Sequence, residues 1–371
     1  MPDLMILLSL PAVIALGVIT SYDDYKYGKI RNKWVVAGIL YAIAINLLIY
    51  LMLIFGGGEA RISYLIELGV TFILSLLFGF IIWWIGLWTA GDAKLFAAYS
   101  LLVPLSIYRF GHIPYFSSSN ILMNTFVPLF FAYSVFLIYK IPNKKKLFYL
   151  KRSLEPRQLV QLFIFLFGFA WLASLFFNLA GIPGNFFLSL FFLFILLILM
   201  ERLFGPRLRH IMITIAILRI LFDRSLLTIA AWQNLLFLLI AFIFLRFFLL
   251  YLSYHYLTKE VDINLLKPGL VPAELVYKEK GNYFKRPMLY FSLLTYMQER
   301  ARKRDYVIDC NAEGLVEKDI KKLRSLKLGF EHLRVYNTLS FAPFLFAGVL
   351  LTYIFQGNVF ISIAVLFQSF F

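Results

Sequence analysis

The chain has 371 residues, of which 61% are hydrophobic, 19% aromatic and only 15% charged; an ordinary soluble domain is about 45–50% apolar and about 25% charged. A compact globule has too little interior for that much apolar surface, so lipid is part of the solvent, and a water-soluble enzyme, a disordered chain and a fibrous repeat are excluded. The net charge of +16, from 36 Lys and Arg against 20 Asp and Glu, raises a question of membrane orientation, and the single cysteine, Cys310, leaves no disulfide framework or multi-cysteine zinc site.

In chain order, apolar runs predict membrane spans at 4–20, 34–55, 64–87, 93–108, 121–139, 159–179, 186–200, 211–222, 226–252 and 341–355. The run at 211–222 is short enough to be re-entrant or interfacial, and whether the apolar tail at 360–371 spans stays open. The first run resembles a signal peptide, but no A-x-A-like cleavage site follows it, so a retained span is expected. The expected fold class is an all-α polytopic membrane protein of about 9–11 transmembrane helices with a small α+β cytoplasmic module near the C-terminus.

That module, 258–338, is the one soluble-looking stretch. Turn chemistry stands at Lys267-Pro268-Gly269 and Gly281-Asn282, and the pairs Leu270-Val271, Leu275-Val276 and Val307-Ile308 suit short strands. The stretch from Glu313 to Lys327 carries acids early and bases late, as a helix dipole favours. Four regions follow: 1–110, a transmembrane core with two notable acids; 111–257, further spans joined by basic loops; 258–338, the module; and 339–371, a last transmembrane segment.

Basic residues crowd into alternate loops: four in 22–33, seven in 140–157, three in 201–210 and sixteen in 258–336, against Arg61, Arg109 and Arg224 in the others. The positive-inside rule makes the rich loops cytoplasmic and sets the N-terminus outside, in a multi-pass protein of the cell membrane. The long last segment weighs little in that rule, and the asymmetry survives without it.

Ionisable groups at membrane depth are expensive and point to function. Asp92 follows an uncharged run at 81–88 and lies in Thr89-Ala90-Gly91-Asp92-Ala93-Lys94, whose small residues let a second backbone or an extended strand approach. Asp24 lies just past the cytoplasmic end of the first span and Asp92 just past that of the third, so both are expected on one face at similar depth. Two carboxylates sharing a site do not readily ionise together, so one keeps a proton while the other is charged. Such a pair activates a water without a metal: the charged member takes its proton and the neutral member hydrogen-bonds a scissile carbonyl. Plainer accounts exist for each acid alone, Asp92 as an interfacial acid paired with a nearby base and Asp24 as a solvated loop acid. Asp23 competes with Asp24 for the same role.

Ile30 and Asn32 stand six and eight positions after Asp24, and Gly91-Asp92-Ala93-Lys94 follows the pattern GxGD-x-K from its second glycine. On these motifs the chain resembles the type IV prepilin peptidases, a family of GxGD membrane aspartic peptidases. The stretches 267–274, 313–320 and 341–345 resemble the long archaeal prepilin and preflagellin peptidase branch, which has a C-terminal extension. The likeness covers about 10–100 and about 260–355; between them only hydrophobicity matches. Thr89 replaces the first glycine of GxGD, and Arg31 stands where that family usually has proline.

The resemblance implies a metal-independent aspartic endopeptidase without a cofactor, with Asp24 and Asp92 catalytic and Gly91, Lys94, Ile30 and Asn32 in support. Its implied partners are membrane lipid and a prepilin or preflagellin precursor, not nucleic acid. The precursor would carry a class III signal peptide: a short basic head, a small residue before the cut and a hydrophobic helix after it. Cleavage would fall at the cytoplasmic membrane boundary, with Asp23 a candidate contact for the basic head. Bacterial members also methylate the new N-terminus and carry a four-cysteine zinc module, which one cysteine here does not supply.

Arg219, Asp223, Arg224 and Arg246 sit near span ends and read as snorkelling groups. His112, His210, His255 and His332 have no ligand spacing, and Lys144–Lys146 reads as a topology determinant on anionic lipid. Two other functions stay open. One is a cation- or proton-coupled transporter using Asp24 and Asp92, against which stands the lack of an internal repeat. The other is a presenilin-like intramembrane protease, which cuts inside an apolar segment and not at its edge.

Overall fold

A computed structural model describes residues 2–55, 62–84, 88–182, 186–248, 256–279, 281–287, 305–308, 314–326, 328–336 and 340–368. Cys310, His255, Glu313 and Lys327 lie outside them. The chain forms two units, residues 1–132 with 339–371, and residues 133–338.

In the first unit, α1 (Pro2–Tyr27) covers the expected span and continues through Asp23 and Asp24. Local contacts keep this polar end helical. Lys26 donates to the Tyr22 hydroxyl one turn back (2.8 Å), and Gly28, at φ +63°, ends the helix with its N–H on the Asp24 carbonyl (2.9 Å). Next come α2 (Asn32–Phe55), α3 (Ile62–Trp84), α4 (Ala90–Leu102) and the first part of α5 (Ser119–Lys140). The fourth apolar run gives a helix of only 13 residues, because Pro104 has no N–H to continue it and a single 3₁₀ turn, Leu105–Ile107, follows.

Short as it is, α4 is the centre of this unit, with 10 of its 13 residues buried. It packs on α3 and α2, and also touches α1 and α12 (Ala342–Ile354), the helix that returns from the far end of the chain. The α3–α4 approach is close: a Cβ on Gly79 would stand 3.2 Å from the Ala93 Cα, and the Trp88 indole N–H donates to the Gly79 carbonyl (2.7 Å). On the other side of the bundle, α12 and α13 (Val359–Gln368) are stitched to α5. Asn124 donates to Thr352 Oγ1 (2.9 Å) and the Gly357 carbonyl (2.7 Å), and accepts from the Val359 N–H (3.0 Å).

The second unit holds the rest of α5, then α6 (Asn143–Ser153), α7 (Pro156–Leu179), α8 (Phe186–Phe204), α9 (Leu208–Phe222) and α10 (Ile229–Arg246). Its helical core is built from Phe165, Leu166, Phe169, Leu193, Met212 and Phe242. The basic segment 140–157, read from the sequence as a loop, contains the helix α6. Arg219 does not snorkel. It is 6% exposed, pairs with Asp223 one turn on (2.9 Å), and donates to the Phe167 carbonyl (2.6 Å). Bonds inside the protein meet its donors, so it has no need of the interface.

The expected module folds as two antiparallel three-stranded sheets. One runs β1-β6-β2 (Thr258–Asp262, His332–Tyr336, Val271–Pro272) and the other β4-β3-β5 (Asn282–Pro287, Glu274–Glu279, Asp305–Ile308). With α11 (Glu317–Ser325) they enclose Ile263, Val276, Ile308, Ile320, Leu323 and Leu333. All three apolar pairs singled out from the sequence contribute to these strands.

Six helices among the described residues are long and apolar enough to cross a membrane: Leu4–Tyr27, Asn32–Met52, Ile62–Trp84, Ser119–Lys140, Pro156–Leu179 and Ile229–Arg246. The chain is therefore a mostly helical, multi-pass membrane protein with a small strand-containing module. Phe186–Glu201 and Ala342–Ile354 are apolar but shorter, so fewer runs reach spanning length as single helices than the hydropathy alone predicts.

The seam between α5 and α12 is testable. A Cβ on Gly348 would stand 2.9 Å from Thr125 Cβ and 3.0 Å from its Cα, whereas one on Gly69 meets nothing within 4 Å. Gly348→Ala is expected to destabilise the protein by about 1–3 kcal/mol, and Gly69→Ala to melt at or above the parent. Thermal melting of the purified protein in detergent reads both. Equal melting of the two variants would remove the close-packed seam from the account.

Candidate active site

The two sequence motifs meet. Lys94, on α4, donates to the Asn32 side-chain oxygen at the start of α2 (3.3 Å). A Cβ on Gly91 would stand 3.3 Å from Ile30 Cβ, so glycine there lets the α4 start lie against the α1–α2 link. Asp24 and Asp92 are both buried, at 9% and 2% exposure, and close enough for the charge of one to act on the other.

Asp92 sits in the first turn of α4, where backbone N–H groups lack helical partners. Its Oδ2 accepts from the Thr89 N–H (2.9 Å) and the Thr89 hydroxyl (2.8 Å), while its own N–H donates to Thr89 Oγ1 (3.3 Å). This is a capping box, and it accounts for one carboxylate oxygen. The other, Oδ1, is buried without a hydrogen-bond partner. A cap alone leaves that oxygen unexplained, since buried polar atoms are nearly always paired. Burial first, and the Asp24 charge in the same sense, lift the Asp92 carboxyl from 3.8 up to about 6, while the Thr89 bonds pull it back.

Asp24 is held from the far end of the sequence. Its Oδ2 accepts the N–H of Ala342 at the start of α12 (3.0 Å), and its main-chain carbonyl accepts from Ser340 Oγ (3.2 Å). Around that contact an aromatic group closes up: the Phe341 ring lies 5.9 Å from Trp88 and 5.3 Å from Phe126, centroid to centroid. Sequence spacing did not reveal this partner. A signal was present in Pro343, a residue that helices accept in their first turn, which marks Ala342 as a helix start.

Asp23 has a different environment. Its Oδ1 is paired with Arg31 (2.8 Å), the carboxylate is 3% exposed, and the Arg31 guanidinium lies 4.9 Å from the Tyr27 ring centre. The residue considered for a substrate's basic head is thus already engaged by a base of its own chain. Both departures from the family pattern carry contacts: Arg31 pairs Asp23, and Thr89 caps α4 on Asp92. Among the described residues, no group of three or more His, Cys, Asp or Glu side chains is placed to hold a metal ion.

The chain is 24% identical over 361 residues, covering 90% of each sequence, to the prepilin peptidase EppA of Methanothermobacter thermautotrophicus. No protein-family model matches it, and no solved structure does.

A carboxyl lifted by burial leaves a mark on stability. With Asp92 titrating near 6 when folded and near 3.8 when unfolded, the folded state keeps a proton that the unfolded chain has lost. That contribution is complete below about pH 4 and is lost as pH rises through about 6, up to about 3 kcal/mol. Compared with Asp92→Asn, the parent is therefore expected to lose stability between pH 4 and pH 7 and to run parallel above that. Melting curves of both proteins across this range provide the check, and a constant difference would contradict it.

Proposed function

We propose that this chain, an archaeal member of the type IV prepilin peptidase family, is an aspartic endopeptidase that uses Asp24 and Asp92 as its catalytic pair. The observation that carries this reading is the buried, unpartnered Oδ1 of Asp92 beside a second buried carboxylate. Asp23 Oδ2 and Glu201 Oε1 are also buried without a partner; what sets Asp92 apart is the second buried carboxylate near enough for its charge to act on it, and a general acid needs a free oxygen that can donate to or accept from a reacting group. A water between the two carboxylates would lose its proton to the charged one as it attacks a peptide carbonyl. The protonated one would hydrogen-bond the carbonyl oxygen as charge develops there.

The substrate proposed is a prepilin or preflagellin precursor. Its apolar helix would stay in the bilayer while the bond before it reaches the pair at the cytoplasmic boundary. The excess of basic residues in alternate loops supports that orientation. Gly91 and Ala93 are taken up by Ile30 and Gly79 of the chain itself, which leaves the part-exposed Ala90 for the close approach of an extended peptide strand. Cell-membrane residence and an N-terminus outside are part of the same proposal.

The test is cleavage of a co-expressed prepilin in membranes, read by gel shift. Asp24→Asn and Asp92→Asn are each expected to lower cleavage by about 10²–10⁴-fold, or below detection, without loss of the protein from the membrane. Asp23→Asn should still cut, because its partner Arg31 is 41% exposed and finds water when the pair is broken. Normal cutting by both dyad variants would end the peptidase reading and turn attention to ion coupling. Loss in Asp23→Asn alone would move the first catalytic position by one residue.

A further inference from the structure

Asp24 and Asp92 are not equivalent, and the difference lies in what each oxygen meets. Asp92 is capped by its own helix and keeps one oxygen free of donors. Asp24 accepts from a foreign helix, at the N-terminus of α12. That helix runs from Ala342 to Ile354 and contains no Asp, Glu, Lys or Arg, so what it brings to Asp24 is backbone alone: an N–H and the positive end of the helix dipole. An amide donor at a helix start favours the charged form of a carboxylate; Asp92 also has such donors, through Thr89, but it is 2% exposed against 9% for Asp24, and its buried Oδ1 would leave part of a charge unmet.

The other charged groups near Asp24 are already engaged. On α1, Asp23 is paired with Arg31 and Lys26 with Tyr22. From α4, Lys94 is bound to Asn32, and Asp92 is the second acid of the pair. At the start of α2, Lys33 lies over the Trp34 ring. The 3₁₀ turn at Leu105–Ile107 brings no charge, and Lys29 in the link is exposed. No cation is aimed at Asp24 by these contacts; α12 takes that place.

We propose that the N-terminus of α12 is a positioning element that makes Asp24 the charged member of the pair, and so the base, leaving the proton on Asp92. The proposal rests on the dyad reading above and adds to it the assignment of roles. It also gives the return of the chain after the module a chemical purpose. Residues 340–342 complete the site, held over it by the packing of Phe341 on Trp88 and Phe126.

The test is the pH profile of prepilin cleavage by the full chain in lipid. Ala342→Pro removes the N–H at a position where helices accept proline; Ala342→Gly keeps it. Thr89→Ala removes a donor from the other acid. The acid limb is expected to move up by about one pH unit in Ala342→Pro and stay in Ala342→Gly, with the alkaline limb fixed in both. Thr89→Ala is expected to move the alkaline limb up and leave the acid limb alone. An alkaline-limb shift in Ala342→Pro, or no shift at all, overturns the assignment while the dyad stands. Loss of the dyad itself shows differently, as cutting by Asp24→Asn or Asp92→Asn.

Should Ala342→Pro fail to accumulate, infrared spectra of the intact protein between the two limbs decide. Asp92→Asn is expected to remove a protonated carboxyl band and Asp24→Asn a carboxylate band. The reverse pattern overturns the proposal.

Discussion

A carboxylate taken out of water must be met by donors or by an opposite charge, or else give up its own charge. In the first unit that constraint is met twice at the same kind of place. Helix starts carry backbone N–H groups that the helix does not use, and each acid is seated at one. Asp92 uses the first turn of its own helix, through Thr89. Asp24, near the end of α1 where carbonyls and not N–H groups are left over, borrows the start of α12. The close approaches in the unit serve this arrangement. Gly79 lets α3 press on Ala93 one residue beyond Asp92, and Gly91 lets Ile30 lie against the turn that bears it.

Much of this was legible in the sequence because the relevant spacings are short. Asp24 to Asn32 and Thr89 to Lys94 each fall within about two helical turns or a single loop, and at that range residue types and hydropathy constrain geometry strongly. The contact between Asp24 and Ala342 crosses 318 residues. Nothing in one sequence ties two apolar helices together at that distance, since lipid-facing and helix-facing leucines and phenylalanines look alike. The same limit hid Arg219. Its position near a span end suits snorkelling, and only the packing of α7 on α9 puts the Phe167 carbonyl within its reach. Span lengths failed for a different reason. Hydropathy ran through Val103 and Pro104 without a break, but a missing N–H ended the helix where the apolar run did not.

The two departures from the family motif fit the same electrostatic logic. Asp23 and Asp24 are adjacent, and two buried like charges in one turn would raise the cost of ionising either. Arg31, in place of the usual proline, holds Asp23 with a charge-assisted bond while stacking on Tyr27. The neighbour's charge is thereby neutralised on the spot, and Asp24 is left to interact with Asp92 and α12. Proline, which the resemblance leads one to expect at that position, supplies no such donor.

Thr89 works in the opposite direction to a glycine. Glycine at the first position of GxGD frees the backbone before the aspartate; threonine fixes it, because its hydroxyl closes the capping box and its N–H binds the same carboxylate oxygen. The turn is thus fixed by the chain's own hydrogen bonds, and Oδ2 is spoken for. Any chemistry at Asp92 must go through Oδ1, the oxygen left bare. The two carboxylates therefore differ in their surroundings: Asp92 has one oxygen free of donors, while Oδ2 of Asp24 is tied to α12. An apolar pocket without these donors would not impose such a difference on two chemically identical side chains.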